Sequence, residues 1–345
     1  MVDYIIVGFG IAGVSVTEEL ERRGKTYLVY EDSSQKASRV AAGVCNPVVL
    51  KRFTMAWRGG ELMDGAISFY KGIEERLSQS FVDELPVLRR FNSVEEQNLW
   101  YEAADRPVLR EFLSENILKN KNEGIGAPFY LGKVHKTHKV ALSQLLSSYM
   151  AYMKAKNSLI EEPFVHDDIE ILDNGVVYKG VKARHLIFSE GYGMVQNPYF
   201  NQLPLVGNKG EYVIIKSETL RLKEAIKAAF FIVPLGNDLY KIGATYDHQD
   251  KSKETTEAAR DKILKKMKEV LCCEYTIVSQ ESGIRPTVRD RRPLVGTHDT
   301  YKVLHLLNGL GTRGVLMGPF LAKQLLNSIE KGETLEAEYN INRFA

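Results

Sequence analysis

The stretch DYIIVGFGIAGVSVTEELERRGKTYLVYE, Asp3 to Glu31, decides the fold. Asp3 to Val7 is a short apolar run of the kind buried in a parallel sheet. Gly8-Phe9-Gly10-Ile11-Ala12-Gly13 follows as a G-x-G-x-x-G turn, and a helix is expected from there to about Arg23, with Ile11, Val14 and Leu20 facing the sheet. Gly24 stands where a helix end needs a residue that tolerates positive φ. Thr26 to Tyr30 reads as a second strand, closed by Glu31. The three glycines act differently. Gly8 allows the tight turn, Gly10 lets the backbone approach a pyrophosphate, and Gly13 lets helix and strand pack closely. The helix N-terminus offers free N–H groups and a positive dipole end to phosphates. Glu31 is placed to accept hydrogen bonds from a ribose diol, and its charge disfavours a 2′-phosphate, which argues against NADP. Strand, turn, helix, strand and acid in this order point to a dinucleotide, and this unit leaves both NAD and FAD open.

The remaining chain sets the limits. Its 345 residues suit about two domains. Hydrophobic residues at 44% and charged residues at 26% fit a folded globular chain and exclude a disordered or collagen-like one. A net charge of +2 gives no global drive toward nucleic acid or membrane. Three cysteines, Cys45 and the adjacent Cys272 and Cys273, cannot form a disulfide framework and fit a reducing compartment. No secretory signal and no membrane-length apolar run is read, so a cytoplasmic location is expected.

Along the chain, Ser38 to Pro47 is rich in small residues that would let backbone lie against a flat cofactor. Leu62 to Leu118 reads as mostly helical, and Asn120 to Gly126 as loop. Val140 to Met153 reads as a helix with Leu142, Leu145, Leu146, Tyr149, Met150 and Met153 on one face. Ser158 to Val165 reads as a strand interrupted by Pro163, and Leu186 to Gly191 as a buried strand ending in glycine. Glu211 to Lys216, Phe231 to Leu235 and Leu239 to Thr245 read as strands, with Gly236-Asn237 signalling a hairpin. This antiparallel meander suggests a second domain. Glu254 to Leu271 reads as a Lys-rich helix with Ile263, Met267 and Val270 inward. A second glycine-rich strand-to-helix turn closes the chain: the strand Val303 to Leu307, then Asn308 to Val315, then helix through Ile329.

Together these motifs resemble the FAD-dependent amino-acid and amine oxidase family, whose members include D-amino acid oxidase, glycine oxidase and sarcosine oxidase. The resemblance rests on VGFGIAG (7–13), SRVAAGVCNP (38–47), LIFSEG (186–191), YKIGATY (240–246), SGIRPTVRDRRPLVG (282–296) and GLGTRGVLMGP (309–319). The last two are most similar to the flavin domain of a bifunctional tRNA wobble-uridine modification enzyme. The resemblance implies an α/β fold: a Rossmann-type FAD-binding domain with a parallel sheet, plus a second α+β domain with an antiparallel sheet. Residues 1–56, 131–205 and 280–345 are expected in the discontinuous FAD domain, and 57–130 and 206–279 in the substrate domain. It also implies FAD contacts at Gly8, Gly10, Ile11, Ala12, Gly13, Glu31, Asp32 and Arg39. Further contacts are implied at Ala41, Ala42, Gly43, Gly191, Gly309, Gly311, Thr312, Arg313, Gly314 and Val315. No cysteine occurs in 283–296, where some family members attach the flavin, so FAD is expected to be non-covalent.

The expected chemistry is oxidation of a C–N bond by hydride transfer to the flavin. Arg285 matches the family's substrate-carboxylate arginine, with a salt bridge to Asp290 as its structural alternative. Lys51 and Arg52 are secondary clamps or ordinary loop residues. Tyr246 is a candidate hydroxyl donor to substrate or a packing residue. Lys241 would favour electron transfer to oxygen if it lay over the flavin, although strand alternation points it outward. His135 and His138 have helical spacing and read as surface residues, with no metal site completed. The expected substrate is a small amino acid or a carboxylate-bearing secondary amine, with molecular oxygen as a candidate acceptor. A tRNA-modifying flavoenzyme removing a carboxymethyl group from a modified uridine is the alternative, not favoured by the small net charge. A flavin-binding protein without turnover is the alternative of another class.

Overall fold

The computed structural model describes residues 1–344. Two eight-stranded sheets carry the molecule. In the first, parallel strands Val2–Val7, Tyr27–Tyr30 and Leu159–Ile160 lie side by side, and Val181–Phe188 flanks Val2–Val7 on its other edge. The far side of Val181–Phe188 is shared. Its first residues pair antiparallel with Gly175–Tyr178, and its last three pair parallel with Leu304–Asn308. Tyr4, Ile5, Ile6 and Val7 are all buried, as expected of a strand covered on both faces.

The helix Ile11–Arg22 packs against the closing helix Gly314–Lys331, which also packs on Gly59–Leu77. Gly24 has φ +64° just beyond the first helix. Glu18, buried in the first of these helices, accepts from Arg22 at 3.0 Å, Arg76 at 2.8 Å and the Tyr149 hydroxyl at 3.0 Å. That carboxylate ties three helices together, because a buried charge is tolerated only when it is paired and hydrogen-bonded. The helix Leu142–Ala155 buries all six of the residues read as its apolar face.

The second sheet runs in the order Thr276–Arg285, Asn208–Lys216, Leu239–Gly243, Phe231–Gly236, Ala225–Lys227, Val87–Arg90, Leu131–Val134, Leu113–Leu118. All its neighbours pair antiparallel except Ala225–Lys227 with Val87–Arg90. The hairpin turns at Asn237 and Asp238, with φ of 52° and 59°, the pair of positive values a two-residue primed turn requires.

Several expectations need correction. Leu62 to Leu118 is not mostly helical, since Val82–Glu84, Val87–Arg90 and Leu113–Leu118 are strands between the helices Gly59–Leu77 and Val94–Ala104 or beyond them. Arg89 hides the strand signal: it is buried, ion-paired with Glu96 and donates to the carbonyls of Lys227 and Ala228. Beside Pro163, only Leu159–Ile160 of the expected 158–165 strand pairs. The Lys-rich helix spans Glu257–Met267, capped by the Thr256 hydroxyl accepting from Ala259 N–H, and Val270 is buried beyond its end. His135 follows a strand and His138 lies on one, so their helical spacing is coincidental, and His138 is half-buried. Leu131–Val134 and the whole of Thr276–Arg285 belong to the second sheet, across the boundaries drawn at 131 and 280. Helix Gly59–Leu77 packs on the closing helix Gly314–Lys331. Among the described residues, no helix is long and apolar enough to cross a membrane.

Fully buried His305 lies on the strand Leu304–Asn308, between Ile187 and Thr297 of the flanking strands, with Nε2 3.1 Å from His185 Nδ1 and Nδ1 2.9 Å from Thr297 Oγ1. Burial, reinforced by His185, holds its pKa well below the ordinary histidine value. The fold therefore contains neutral His305, whereas the unfolded chain binds a proton below about pH 6.5. Its contribution to stability is intact above that pH and is lost as pH falls. The thermal midpoint should drop between about pH 7 and about pH 5, and His305→Gln should flatten that slope. Equal slopes would show that His305 is not the responsible group.

Candidate active site

A cavity of about 680 Å³ opens at the carboxyl ends of the parallel strands and is roofed by the second sheet. That volume lies in the range of sites for cofactors and small molecules. Gly8, Glu31, Ser189 and Asn308, each at the end of one of these strands, all line it. The end of a parallel sheet is where the turn glycines and the following helix N-termini converge.

The first turn is built from missing Cβ atoms. Gly8 has φ +90°, and a Cβ there would stand 2.7 Å from the Ser189 carbonyl oxygen. A Cβ on Gly13 would stand 2.1 Å from the Gly8 carbonyl oxygen, so this glycine serves helix–turn contact and does not line the cavity. Gly10 does line it, and a Cβ there would meet only Ser38, with Oγ at 3.0 Å. Ser38 Oγ accepts from Ile11 N–H at 2.9 Å, while Ile11 and Ala12 face the cavity. Glu31 accepts from Phe9 N–H and, at 2.7 Å, from Ser33 N–H. Burial pushes its pKa up, and those two N–H groups oppose the shift. Asp32 lies beside it in the lining.

Ala41, Ala42 and Gly43 form one wall. Gly43, at φ +71°, lies so close to the Val140 carbonyl that a Cβ would stand 1.9 Å from its oxygen. Gly191 lines the opposite side, and its carbonyl accepts from Asn308 Nδ2 at 2.8 Å. Gly311, Thr312, Gly314 and Val315 complete the lining at the N-terminus of the last helix.

Besides Gly13, three further expected contacts lie outside the lining. Arg39 directs its guanidinium to Ser147 and Met150. Gly309, at φ +73°, fits against Val288 and Leu294 and is a packing position. Arg313 is half-buried and donates to the Asn46 carbonyl at 2.7 Å, with burial lowering its pKa.

Arg285 lines the cavity from the second sheet. Its Nη1 donates to Asn208 Oδ1 at 2.9 Å and to the Thr245 carbonyl at 3.2 Å, and its guanidinium lies 4.6 Å from the Tyr246 ring centroid. Among the described residues it has no carboxylate partner. Asp290, the alternative partner considered from sequence, pairs instead with Arg343 at 2.8 Å. Tyr246 is 61% exposed and lines the cavity, so core packing does not explain it.

Lys241 corrects the alternation argument. It is buried, donates to the Val40 carbonyl at 2.8 Å and pairs with Glu281 at 2.7 Å. Those partners allow a lysine to turn inward, behind Ala41 and outside the lining. Lys51 and Arg52 are exposed and also outside it. Sequence reasoning missed Ser38, Tyr212, Lys227, Phe231, Lys251 and Lys253, all of which line the cavity. Ser38 was within reach of the reading, since it opens the small-residue segment, whereas the others depend on strand pairings distant in sequence.

The free helix N-terminus, the open space before Gly10, and Glu31 on the second strand fit a dinucleotide laid across the strand ends. The chain matches the FAD dependent oxidoreductase family over residues 3–327. It is 22% identical to a glycine oxidase from Bacillus licheniformis, covering 97% of this chain and 96% of that protein. It is 21% identical to a tRNA 5-methylaminomethyl-2-thiouridine biosynthesis bifunctional protein from Leptospira interrogans, with 97% of this chain aligned over 58% of that longer protein. Among solved structures, glycine oxidase from Geobacillus kaustophilus superposes with a TM-score of 0.79 at 20% identity, covering 97% of this chain and 96% of that one. Iminodiacetate oxidase from Chelativorans sp. BNC1 gives 0.79 at 18% identity, covering 97% of each chain. With this family match spanning almost the whole chain and the same fold in solved structures, the chain belongs to the FAD dependent oxidoreductase family.

Proposed function

We propose that this oxidoreductase oxidises the C–N bond of a small amino acid or carboxylate-bearing secondary amine, with FAD bound non-covalently. The observation that carries the reading is Arg285: a guanidinium in the cavity wall, fixed by Asn208 and Thr245, with no acid of its own among the described residues. FAD, when bound, supplies the two-electron acceptor for a hydride from the carbon beside nitrogen. The chain's residues then have to hold and orient the amine. Two parallel hydrogen bonds from Arg285 to a carboxylate fix both distance and plane. Tyr246, stacked against that guanidinium, presents its ring and hydroxyl to the same space. Lys241 is buried outside the cavity lining, paired with Glu281 and donating to the Val40 carbonyl, so no part in electron transfer to oxygen is assigned to it. The names glycine oxidase and iminodiacetate oxidase, borne by similar proteins, support a carboxylate-bearing amine. A cytoplasmic location belongs to the same reading.

The cofactor half of the proposal is tested at Gly10. A Cβ there meets only the Ser38 side chain, and Gly10 lines the cavity, so a larger side chain takes space from the cavity. Gly10→Val should lose most bound FAD while its circular dichroism stays close to wild type. Acid precipitation of the wild type should release all flavin to the supernatant. Full flavin occupancy in the variant contradicts the assignment, and flavin on the pellet contradicts non-covalent binding.

The substrate half is tested at Arg285. Removing one partner of a charge-assisted pair in a partly dry site costs about 2–5 kcal/mol, so Arg285→Ala should slow anaerobic flavin reduction per unit substrate by about thirtyfold or more. Arg285→Lys should recover only part, because an ammonium lacks the fork. FAD content should be unchanged in both. Wild-type reduction rates in Arg285→Ala would refute the clamp. Bleaching by carboxymethylaminomethyl-modified tRNA, with none by free amines, would instead favour the tRNA reading.

A further inference from the structure

The cavity's charges are segregated by sheet. Its lining acids, Glu31, Asp32, Glu162 and Glu190, follow strands of the parallel sheet. The lining contributed by the second sheet and its loops contains Lys227, Lys251, Lys253 and Arg285 and no acid. Lys251 is spent on the Gly207 and His248 carbonyls, at 3.0 and 2.6 Å. Lys227 is different. It has no carboxylate partner among the described residues, and its ammonium donates to the Ala229 carbonyl at 3.0 Å, 5.1 Å from the Phe231 ring centroid.

The surroundings of Lys227 add positive charge. Arg89 is its register partner on the neighbouring strand, and Lys51 also acts on it. Arg89 is already matched by Glu96. Burial, then Arg89 and Lys51, push the Lys227 pKa down to about 8. An unmatched ammonium in this setting is stabilised by any anion that enters the cavity.

Strand register gives its distance from Arg285. The Arg285 guanidinium lies over Gly210, where a Cβ would stand 2.1 Å from Nη2. Tyr212, Gly243, Phe231 and Lys227 form one cross-strand row, and all four line the cavity. Lys227 leans over Phe231, and Gly243 keeps the floor between Phe231 and Tyr212 low. From Gly210 to Phe231 is two strand spacings, about 10 Å, and two residues along the strand, about 7 Å. The two cationic groups are therefore about 12 Å apart, and ion-pair contacts at both ends leave about 5 Å between two anionic carbons.

Building on the reading that Arg285 holds a carboxylate, we propose that the natural substrate is an amine with a second anionic group, and that Lys227 is the residue that selects for it. The class is a dicarboxylic amino acid or an N-carboxymethyl amino acid.

The experiment uses the FAD-loaded protein and two inert probes, thiodiacetate with two carboxylates and (methylthio)acetate with one. Binding is read by calorimetry and by perturbation of the flavin spectrum. Wild type should bind thiodiacetate at least about tenfold more tightly. Lys227→Met should erase the preference while leaving (methylthio)acetate binding and FAD content unchanged, and Lys227→Arg should restore most of it. In parallel, kcat/KM for iminodiacetate relative to sarcosine should fall by the same factor in Lys227→Met. Equal affinity for both probes in the wild type, or an undiminished preference in Lys227→Met, would overturn the inference and leave the Arg285 clamp standing. Failure of both probes to bind, or unchanged binding in Arg285→Ala, would overturn the clamp itself and the inference with it.

Discussion

Everything at this site depends on backbone approaching backbone at the ends of the parallel strands. The Gly8 carbonyl occupies space that a Gly13 side chain would need, and the Ser189 carbonyl occupies the space a Gly8 side chain would need. Gly43 makes a third such contact with Val140. Each is a position where L-residue sterics exclude a Cβ, so the turn is held close to the first helix and to the Ser189 strand end, and the Ala41–Gly43 wall close to Val140. The cavity is the space those contacts leave over. The buried Glu18 carboxylate, tying together the helices of Arg22, Arg76 and Tyr149, holds the outer side of the same arrangement.

The second sheet adds what the first cannot. Parallel strand ends collect free N–H groups and, here, carboxylates, a setting suited to phosphates and ribose. The opposing wall presents cations that have no acid partner among the described residues, beside small residues and aromatic rings. Arg285 stays available because neutral acceptors, Asn208 and Thr245, fix its orientation without neutralising it. A carboxylate partner in their place would have held the guanidinium as firmly and closed it to a ligand.

The strand-end side of the cavity was legible in the sequence because its signals are local. Strand, glycine turn, helix, strand and Glu31 fall within one short run, and what each glycine does follows from its position. The closing turn is legible for the same reason, although only Gly311, Thr312, Gly314 and Val315 of its expected contacts reach the cavity. Of the cavity lining contributed by the second sheet and its loops, only Arg285 and Tyr246 were legible, through family motifs. Lys227, Tyr212 and Phe231 meet across strands far apart in the chain, and no local period reports that register. Lys241 and Arg89 were unreadable for another reason. Buried partners, Glu281 with the Val40 carbonyl and Glu96 with two carbonyls, overturn the rule that cations on strands face water.

Recognition of the amine through its carboxylate is the property on which the proposed function stands. The most direct measurement compares sarcosine with dimethylamine, which keeps the secondary amine and lacks the carboxylate, by anaerobic titration of the FAD-loaded wild type. Sarcosine or its dicarboxylic relative iminodiacetate should bleach the flavin, and dimethylamine at the same concentration should not. Equal bleaching by dimethylamine would contradict carboxylate recognition.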